Sequence, residues 1–392
     1  MSSGHRIKRS LWATVFSSAS SARESVLRRV PDDTTICANL FIFVVYLFLP
    51  MKNGKKKIRL ALALVFVLVV AAVVGYFIFI RKNEGTPLGQ VTQAEPIKFY
   101  SQLDGTVVAE AGQVPRVVGV MVDNHPDARP QQAGLSKASI VYEALAEGGI
   151  TRYLAIFTAS SSVEKVGPVR SARPYYLDWI REYGESPYMH CGGSPEALSL
   201  ISRLGLFSLN EFVYSDYYWR DNKYYVPHNL FTNSSLWEKV LAKQGAQRPT
   251  KEWSGWLFEK TPSTSTSSVS AATIRYDSYY KVGWKYDGKQ YVRTINGVGH
   301  LDAGAPITAD TIIIQEVGTK VIDDVGRKEL DTIGAGDLRV LKHGTMVRGI
   351  WKKESVTGRT KFFDQAGQEI PLAAGHIWVE VVPVKTPVEI TS

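Results

Sequence analysis

The segment SIVYEALAEGGITRYLAIFTA, residues 139–159, decides the fold of this chain. Two apolar, β-branched runs flank Gly148 and Gly149, and paired glycines between such runs are typical of a tight β-hairpin. The run VVGVMVDN, residues 117–124, has the same strand-like composition and lies shortly before it. The sequence therefore predicts that the first folded domain is built around an antiparallel strand pair.

The two glycines also predict a register for this hairpin. If they form a two-residue loop, Glu143 pairs with Leu154, and Arg152 lies diagonally between Glu143 and Glu147 on one face. The two carboxylates are about 13 Å apart along their strand, too far to act as a glycosidase pair with each other. An exposed ladder of ion pairs is the structural alternative to a functional site here.

The remaining segments complete the fold prediction. Proline or serine at the start and glycine at the end predict helices over residues 174–183, 195–204 and 236–244. From residue 273 onward, short β-branched runs alternate with glycines, as in TIIIQEV and HIWVEVVPV. We therefore expect an α+β fold: a mixed α/β first domain with a tight hairpin, followed by a small β-rich second domain.

Residues 60–80 form a run of 21 residues without a charge. As a helix the run spans roughly 31 Å, which matches the hydrocarbon core of a bilayer. Five basic residues precede it within residues 52–59 and two follow, so the positive-inside rule predicts a single-pass anchor with most of the chain extracytoplasmic. A cleaved signal peptide is the alternative, although this run exceeds the usual length of such segments.

The charge distribution excludes nucleic acid as a partner. Residues 1–82 contain 13 Lys and Arg against 3 Asp and Glu, whereas the rest of the chain contains 33 against 34. The basic charge thus belongs to the membrane-proximal end, and the folded part lacks the basic surface that nucleic acids require. Cys37 and Cys191 fall on opposite sides of the predicted membrane, so no intrachain disulfide is expected.

Composition changes along the chain predict six segments. Met51 opens a conventional signal-anchor pattern, MKNGKKKIRL, so residues 1–50 are interpreted as a misassigned or disordered extension. The predicted segments are the extension 1–50, a basic stub with the anchor 51–82, a tether 83–115, an α/β ligand-binding domain 116–260, a Ser/Thr linker 261–272 and a β-rich domain 273–386.

Charged and imidazole side chains recur between residues 123 and 229, beside glycines and prolines. Arg170 and Arg173 immediately precede a predicted helix, and guanidinium groups bind carboxylate or phosphate with paired hydrogen bonds. His228 follows an aromatic stretch whose rings suit sugars or, alternatively, fill the core of a hairpin. The candidate ligand-binding residues are Asp123, Asn124, Arg129, Glu143, Glu147, Arg152, Arg170, Arg173, His228 and Asn229.

These residues leave three functions open. The favoured interpretation is a cell-envelope protein that binds an anionic or sugar-bearing ligand, its partner being a wall polymer or another envelope protein. A hydrolase would use Glu143 or Glu147 as general base, with His228 as a further catalytic candidate. A structural scaffold would dock its partner through Trp351 and Trp378. Equally, the arginines could serve only internal ion pairs.

The sequence predicts no metal site and no cofactor. Asp123, His190 and His228 lack the spacing of H-E-x-x-H or C-x-x-C metal motifs. HCGGSPEAL, residues 190–198, has a strand, glycine turn and helix pattern, yet it lacks the lysine and glycine spacing of a nucleotide loop. A single cysteine such as Cys191 is more often buried than catalytic.

Four stretches resemble the YerB-like lipoproteins, a bacterial family of unknown function. They are residues 122–157, VGPVRSAR (166–173), HCGGSPEAL (190–198) and PHNLFT (227–232), and the tail around GIWKK (349–353) and residues 362–383 resembles the family's C-terminal domain. The resemblance implies a two-domain extracytoplasmic protein held at the cell surface, and it carries no established catalytic residues. This chain departs from the lipoprotein pattern because no lipidation cysteine follows its apolar run.

Overall fold

The computed structural model describes residues 56–83, 98–110, 114–260 and 268–392. The chain is mostly β-sheet with few helices, and it divides into two compact units, Met1–Glu95 and Pro96–Ser392. The predicted extension (1–50), most of the predicted tether and residues 261–267 of the predicted linker lie outside the described residues.

The described part of the first unit is one helix, Lys56–Asn83, which we call α1. Its segment Ala63–Ile80 is long and apolar enough to cross a membrane, by length and composition. A signal sequence would have the same length and composition. The helix therefore agrees both with the predicted anchor and with the alternative of a cleaved signal peptide.

The second unit contains the remaining helices and all the strands of the described residues. The helices are α2 (Pro174–Ile180), α3 (Pro195–Leu204) and α4 (Ser234–Gln244). Strands before residue 260 are β1 (Phe99–Tyr100), β2 (Val107–Val108), β3 (Val117–Asp123), β4 (Ile140–Leu145), β5 (Thr151–Thr158), β6 (Tyr188–His190), β7 (Ser208–Asn210), β8 (Trp219–Arg220) and β9 (Leu230–Phe231).

Strands after residue 268 follow one another closely. They are β10 (Ala271–Arg275), β11 (Lys281–Tyr286), β12 (Tyr291–Ile295), β13 (Val298–Gly299), β14 (Leu301–Asp302), β15 (Ala305–Pro306), β16 (Thr308–Ala309), β17 (Thr311–Val317), β18 (Thr319–Val321), β19 (Lys328–Leu330), β20 (Gly334–Lys342), β21 (Thr345–Lys353), β22 (Lys361–Asp364), β23 (Ile377–Pro383) and β24 (Val388–Thr391).

One ten-stranded sheet organises the second unit, in the order β22-β21-β20-β17-β23-β4-β5-β3-β6-β7. Its centre is the parallel pair β23 and β4, so strands from both halves of the sequence share one sheet. β5 is antiparallel to β4 and to β3, and β3, β6 and β7 are mutually parallel. The carboxyl ends of β4, β3, β6 and β7 therefore meet at one edge, which we call the carboxyl edge.

Both faces of the central part of this sheet are covered, because strands such as β3, β4, β17 and β23 are apolar on both sides. Alternate residues of β3, such as Val118 and Val122, join a core that includes Trp237 of α4 and Trp284 of a six-stranded sheet. The intervening residues, such as Met121, join a second core that includes Trp179 of α2. Continuous apolar strands are what a sheet buried on both faces requires.

The hairpin of β4 and β5 is confirmed, but the predicted register is wrong by one residue. Glu143 pairs with Tyr153 rather than with Leu154, and Ala144 pairs with Arg152. The loop is longer than two residues because Ala146 N donates to Ile150 O at 2.7 Å around the 3-10 turn Glu147–Gly149. A one-residue shift moves side chains to the opposite face of a sheet, so Glu143 and Arg152 face opposite ways.

The three predicted helices are confirmed, with one corrected start. The Ser194 side chain accepts a hydrogen bond from Ala197 N and begins α3, and Gly205 ends it in the left-handed conformation. α4 begins earlier than predicted because Asn233 caps it by accepting a hydrogen bond from Leu236 N.

Candidate functional site

The carboxyl edge collects the loops that follow four parallel strands. In open sheets of this kind, ligands bind in the crevice outside the carboxyl ends of the strands. The polar residues that begin or occupy these loops are Asn124 after β3, Glu147 after β4, Cys191 after β6 and Glu211 after β7. The edge thus brings together parts of the sequence that lie far apart.

Asp123 is the last residue of β3 and the centre of the site. Its Oδ2 atom is 2.7 Å from His228 Nδ1 and 3.0 Å from Arg170 Nε, and its side chain is only 3% exposed. Arg170 is placed by backbone pairing, because its N–H donates to Met121 O on β3 at 2.9 Å. Since Nδ1 of His228 faces a carboxylate, that nitrogen carries the proton and Nε2 keeps its lone pair when the ring is neutral.

Glu147 forms the second centre, beside two arginines. Its Oε2 atom accepts from Arg173 Nη2 at 2.7 Å and from Arg152 Nη2 at 3.3 Å, and Oε1 accepts from Arg173 Nε. Burial opposes ionisation of Glu147, but the hydrogen bond from Arg173 and the charges of both arginines outweigh it and lower its pKa. Glu147 therefore remains an ionised carboxylate with both oxygens engaged, which is a poor starting point for a general base.

Arg129 and Arg170 differ from the other two arginines in what their terminal nitrogens contact. Arg129 Nε donates to Asn124 Oδ1 at 3.0 Å, and its guanidinium lies 4.8 Å from the centre of the Tyr280 ring. Among the described residues, none accepts a hydrogen bond from the Nη atoms of Arg129 or Arg170. These two arginines can therefore offer bidentate hydrogen bonds to a ligand without losing an internal partner.

Glu143 is not part of the carboxyl edge's polar surface. It is completely buried on the opposite face, where it pairs with Arg293 and accepts hydrogen bonds from Thr151 Oγ1 and Tyr280 OH, each at 2.6 Å. The corrected register explains this position, because Glu143 shares a face with Tyr153. The predicted contact between Glu143 and Arg152 is wrong, and solvent does not reach Glu143.

Arg293 and Glu380 complete this buried network, and sequence reasoning missed both. Arg293 Nη2 lies 3.9 Å from Glu380 Oε1, and Glu380 accepts hydrogen bonds from Trp284 Nε1 and Tyr276 OH at 2.7 Å. Burial first, and then the charge of Glu143, raise the pKa of Glu380 to about 8. The sequence did contain one sign of this network, because each of the two residues is a charged residue at a core-facing position of an otherwise apolar strand.

Asn124 links the buried network to the edge. Its Nδ2 atom donates to Thr151 Oγ1 and Tyr280 OH at 2.6 Å, while its Oδ1 atom accepts from Arg129. Asn229 is also buried, and its Oδ1 atom accepts from Arg220 Nη1 at 3.0 Å. Both amides therefore hold neighbouring side chains in place.

His190 and Cys191 lie at the end of β6, and the side chains of both are engaged in hydrogen bonds within the protein. His190 Nδ1 is 2.7 Å from Gly192 O and Nε2 is 2.7 Å from Ser208 Oγ. Burial lowers the pKa of His190 to about 4, so the ring is neutral. Burial and then the Glu211 carboxylate raise the pKa of Cys191 to about 11, which leaves little reactive thiolate.

The aromatic stretch before His228 divides between core and surface. Tyr217 and Tyr218 are buried, and β8 within the stretch pairs with β9 just after His228, forming the hairpin that the structural alternative predicted. Tyr225, in contrast, is 91% exposed, and its carbonyl accepts from His228 N at 2.9 Å. Phe212, 74% exposed, lies against Gly192 on the next loop.

The proposed docking role of Trp351 and Trp378 is wrong. Both rings are buried in the ten-stranded sheet's two cores. Trp351 Nε1 donates to Glu316 O at 2.7 Å, and Trp378 stacks edge-on against Tyr153 and Trp284. A buried ring cannot recognise a partner without unfolding.

These features describe a β-rich protein with a candidate site at the carboxyl ends of parallel strands, where two carboxylates form ion pairs with three of four arginines. Residues 103–247 match the family model described as "Protein of unknown function (DUF3048) N-terminal domain", and residues 272–379 match its C-terminal domain. The chain belongs to this family, which confirms the resemblance seen in its sequence.

Comparisons with one protein of Bacillus subtilis, in sequence and in structure, give the extent of the similarity. The chain is 33% identical over 294 residues to the protein described as "Putative lipoprotein YerB" of strain 168, covering 73% of this chain and 87% of that protein. The crystal structure of YerB from Bacillus subtilis matches with a TM-score of 0.66 at 32% identity, covering 75% of this chain and all of that one.

Proposed function

We propose that this chain is a membrane-anchored, extracytoplasmic envelope protein that binds an anionic ligand at its carboxyl edge. Three observations support the location: the apolar helix α1, the basic residues that precede it, and the similarity to a protein described as a lipoprotein. Neither Cys37 nor Cys191 directly follows the apolar run, so α1 itself is the proposed anchor.

The charge balance at the edge carries the proposal for an anionic ligand. Arg129, Arg152, Arg170 and Arg173 meet the carboxylates of Asp123, Asp127 and Glu147 there, and Glu211 pairs with Arg220. The four arginines and three carboxylates therefore have a formal excess of one positive charge with His228 neutral. Glu147 occupies Arg152 and Arg173, which leaves Arg129 and Arg170 to bind the ligand. Partly desolvated guanidinium groups with unused donors are well suited to carboxylates and phosphates.

Two exposed aromatic residues favour a ligand that also carries sugar rings. Phe212 and Tyr225 lie on loops that border the carboxyl edge, and both rings are mostly exposed. Aromatic faces beside hydrogen-bonding groups are typical of carbohydrate sites. An anionic wall glycopolymer combines both chemical features.

The test is binding of the full chain, in detergent micelles, to wall fragments with and without their anionic polymers. We expect Arg170→Ala and Arg129→Ala each to weaken binding at least tenfold, because each removes a guanidinium whose Nη atoms donate to no other described residue. Arg275→Ala, which changes an exposed arginine on β10, is the matched control. Equal binding by all variants, or equal binding to stripped wall, would refute the proposal.

The pair formed by Asp123 and His228 supports a second candidate, an envelope hydrolase. A histidine oriented by a buried carboxylate can accept a proton through its other nitrogen, as in hydrolytic sites. His228 is the better candidate for this role than Glu143 or Glu147, because both glutamates are fully engaged. Release of soluble fragments from wall by the wild type, lost in His228→Gln, is the expected result; no release at any pH would exclude it.

A further inference from the structure

Three residues at the carboxyl edge have side chains typical of a metal site, although the sequence predicts none. His125, Asp127 and His228 each offer a ligand atom, and these atoms lie within 4.8 Å of one another. The two imidazole rings are nearly parallel, with centroids 4.8 Å apart. Residues 125–127 and residue 228 are brought together only by the fold.

The contact between Asp123 and His228 is an independent observation in favour of a metal. Histidines that bind metal usually donate their other ring N–H to a carboxylate, which fixes the tautomer and strengthens the ligand. Asp123 holds Nδ1 of His228 at 2.7 Å, so the lone pair is on Nε2. Within the described residues, Nε2 of His228 has no hydrogen-bond partner.

The backbone around His228 keeps this ligand in position. His228 N donates to Tyr225 O at 2.9 Å, and its carbonyl accepts from Gln131 Nε2 at 3.1 Å. Asp123 is fixed at the end of a buried strand. One ligand and its supporting carboxylate are thus preorganised before any metal binds.

The other two ligands have room to close around an ion. Ligands about 2.0–2.2 Å from a tetrahedral ion are about 3.4 Å apart, so atoms that lie within 4.8 Å of one another must approach by up to about 1.4 Å. The His125 side chain is 37% exposed and that of Asp127 is 76% exposed, and both can adjust by rotation. Arg170 opposes a cation here, and the charges of Asp123 and Asp127 together offset it.

We propose that His125, Asp127 and His228 bind one Zn²⁺ ion per chain, with Asp123 as the supporting carboxylate. Two imidazoles and one carboxylate are a set that zinc accepts, and three protein ligands leave a fourth position open to water or to an oxygen of an anionic ligand. Zinc on Nε2 prevents that nitrogen from accepting a proton, so this proposal and the proton-accepting role of His228 exclude each other.

The test is titration of the untagged full chain in detergent with Zn²⁺ against a chromophoric chelator, without any wall material. We expect one ion per chain, and at least tenfold weaker binding in His125→Gln and in His228→Gln. Asp123→Asn is expected to weaken binding 10- to 100-fold, the range for supporting partners. Co²⁺ is expected to give the intense visible bands of a tetrahedral site, and Mg²⁺ is not expected to compete.

His343→Asn is the matched control, because His343 is a partly exposed histidine beside the carboxylate of Glu259, away from the three ligands. Tryptophan fluorescence checks that each variant is folded. Fewer than half an ion per chain, or equal affinity in the His125 and control variants, would overturn the proposal. Since the titration uses metal alone, its failure leaves the binding of an anionic ligand untouched, and failure of wall binding leaves the metal site untouched.

Discussion

Replacing Arg293 by Met removes the arginine that pairs with Glu143 and lies beside Glu380 in the buried network of the described residues. All three side chains are completely buried, and the Arg293 guanidinium also lies 4.6 Å from the centre of the Trp378 ring. Removing one partner of a buried ion pair costs about 3–5 kcal/mol, because the remaining charge is left in a medium that solvates it poorly. Typical domains have only about 5–15 kcal/mol of unfolding free energy.

The hydrogen bonds that remain on Glu143 decide where in this range the loss falls. Thr151 and Tyr280 still donate to Glu143 after the substitution, so we expect a loss of about 3 kcal/mol. The double variant Arg293→Met with Glu143→Gln is expected to lose less than the single change, because no unpaired charge at Glu143 remains. That recovery distinguishes a charge effect from lost packing.

Denaturant unfolding followed by tryptophan fluorescence measures both effects. Eight of the nine tryptophans lie beyond residue 100, so the signal reports the second unit. The matched control is Arg275→Met on β10 of the same sheet, where the arginine and Glu389 are exposed and the expected loss is at most about 0.5 kcal/mol. If the unfolding midpoint of Arg293→Met matches that of Arg275→Met, the network does not stabilise the fold as argued.

Two further predictions follow from shifted pKa values. Glu380 keeps its proton in the folded state up to about pH 8, whereas the unfolded chain releases it near pH 4.5. The free energy of unfolding is therefore expected to fall as pH rises between these values, by at most about 1.4 kcal/mol per pH unit. Glu380→Gln is expected to lose this slope in unfolding midpoints measured at pH 5 and 8, and an unchanged slope would contradict it. Alkylation of Cys191 can be measured by mass spectrometry in a Cys37→Ser background at pH 8. It is expected to be on the order of 100-fold slower than alkylation of a model thiol, and faster in Glu211→Gln than in the parent protein. A rate equal to that of the model thiol would rule out the raised pKa.

Local sequence patterns predicted the elements of this fold well. The strand at residues 117–123, the hairpin and the helix ends at Gly184 and Gly205 all follow from short-range chemistry. The register prediction failed because the loop is a three-residue 3-10 turn, Glu147–Gly149, rather than a two-residue turn. Tertiary packing also restricts one of its glycines. A side chain at Gly149 would meet the Asp277 carboxylate at 2.2 Å, and this contact joins segments over 120 residues apart.

The sequence predicted part of the candidate site and missed the rest, again because local patterns place strand ends but do not connect distant residues. Asp123, Arg152, Arg170, Arg173 and His228 do converge at the carboxyl edge, because strand ends and their loops gather there. Glu143 does not, since one residue of register moved it to the other face. Its partners, Arg293 and Glu380, follow at intervals of 150 and 87 residues, and no local pattern connects residues so far apart.

The buried network and the edge site depend on each other through Asn124. Glu143 and Tyr280 hold the Asn124 amide so that its oxygen faces Arg129. The orientation of the amide is fixed, because Thr151 and Tyr280 both accept hydrogen bonds from its nitrogen. Tyr280 and Arg293 come from the region that matches the family's C-terminal model, whereas Asn124 and Arg129 come from the N-terminal one. Preorganised donors bind a ligand without first paying to become ordered. The second half of the sequence thus helps to order Arg129, an arginine of the proposed ligand site, although none of the four arginines of that site comes from the second half.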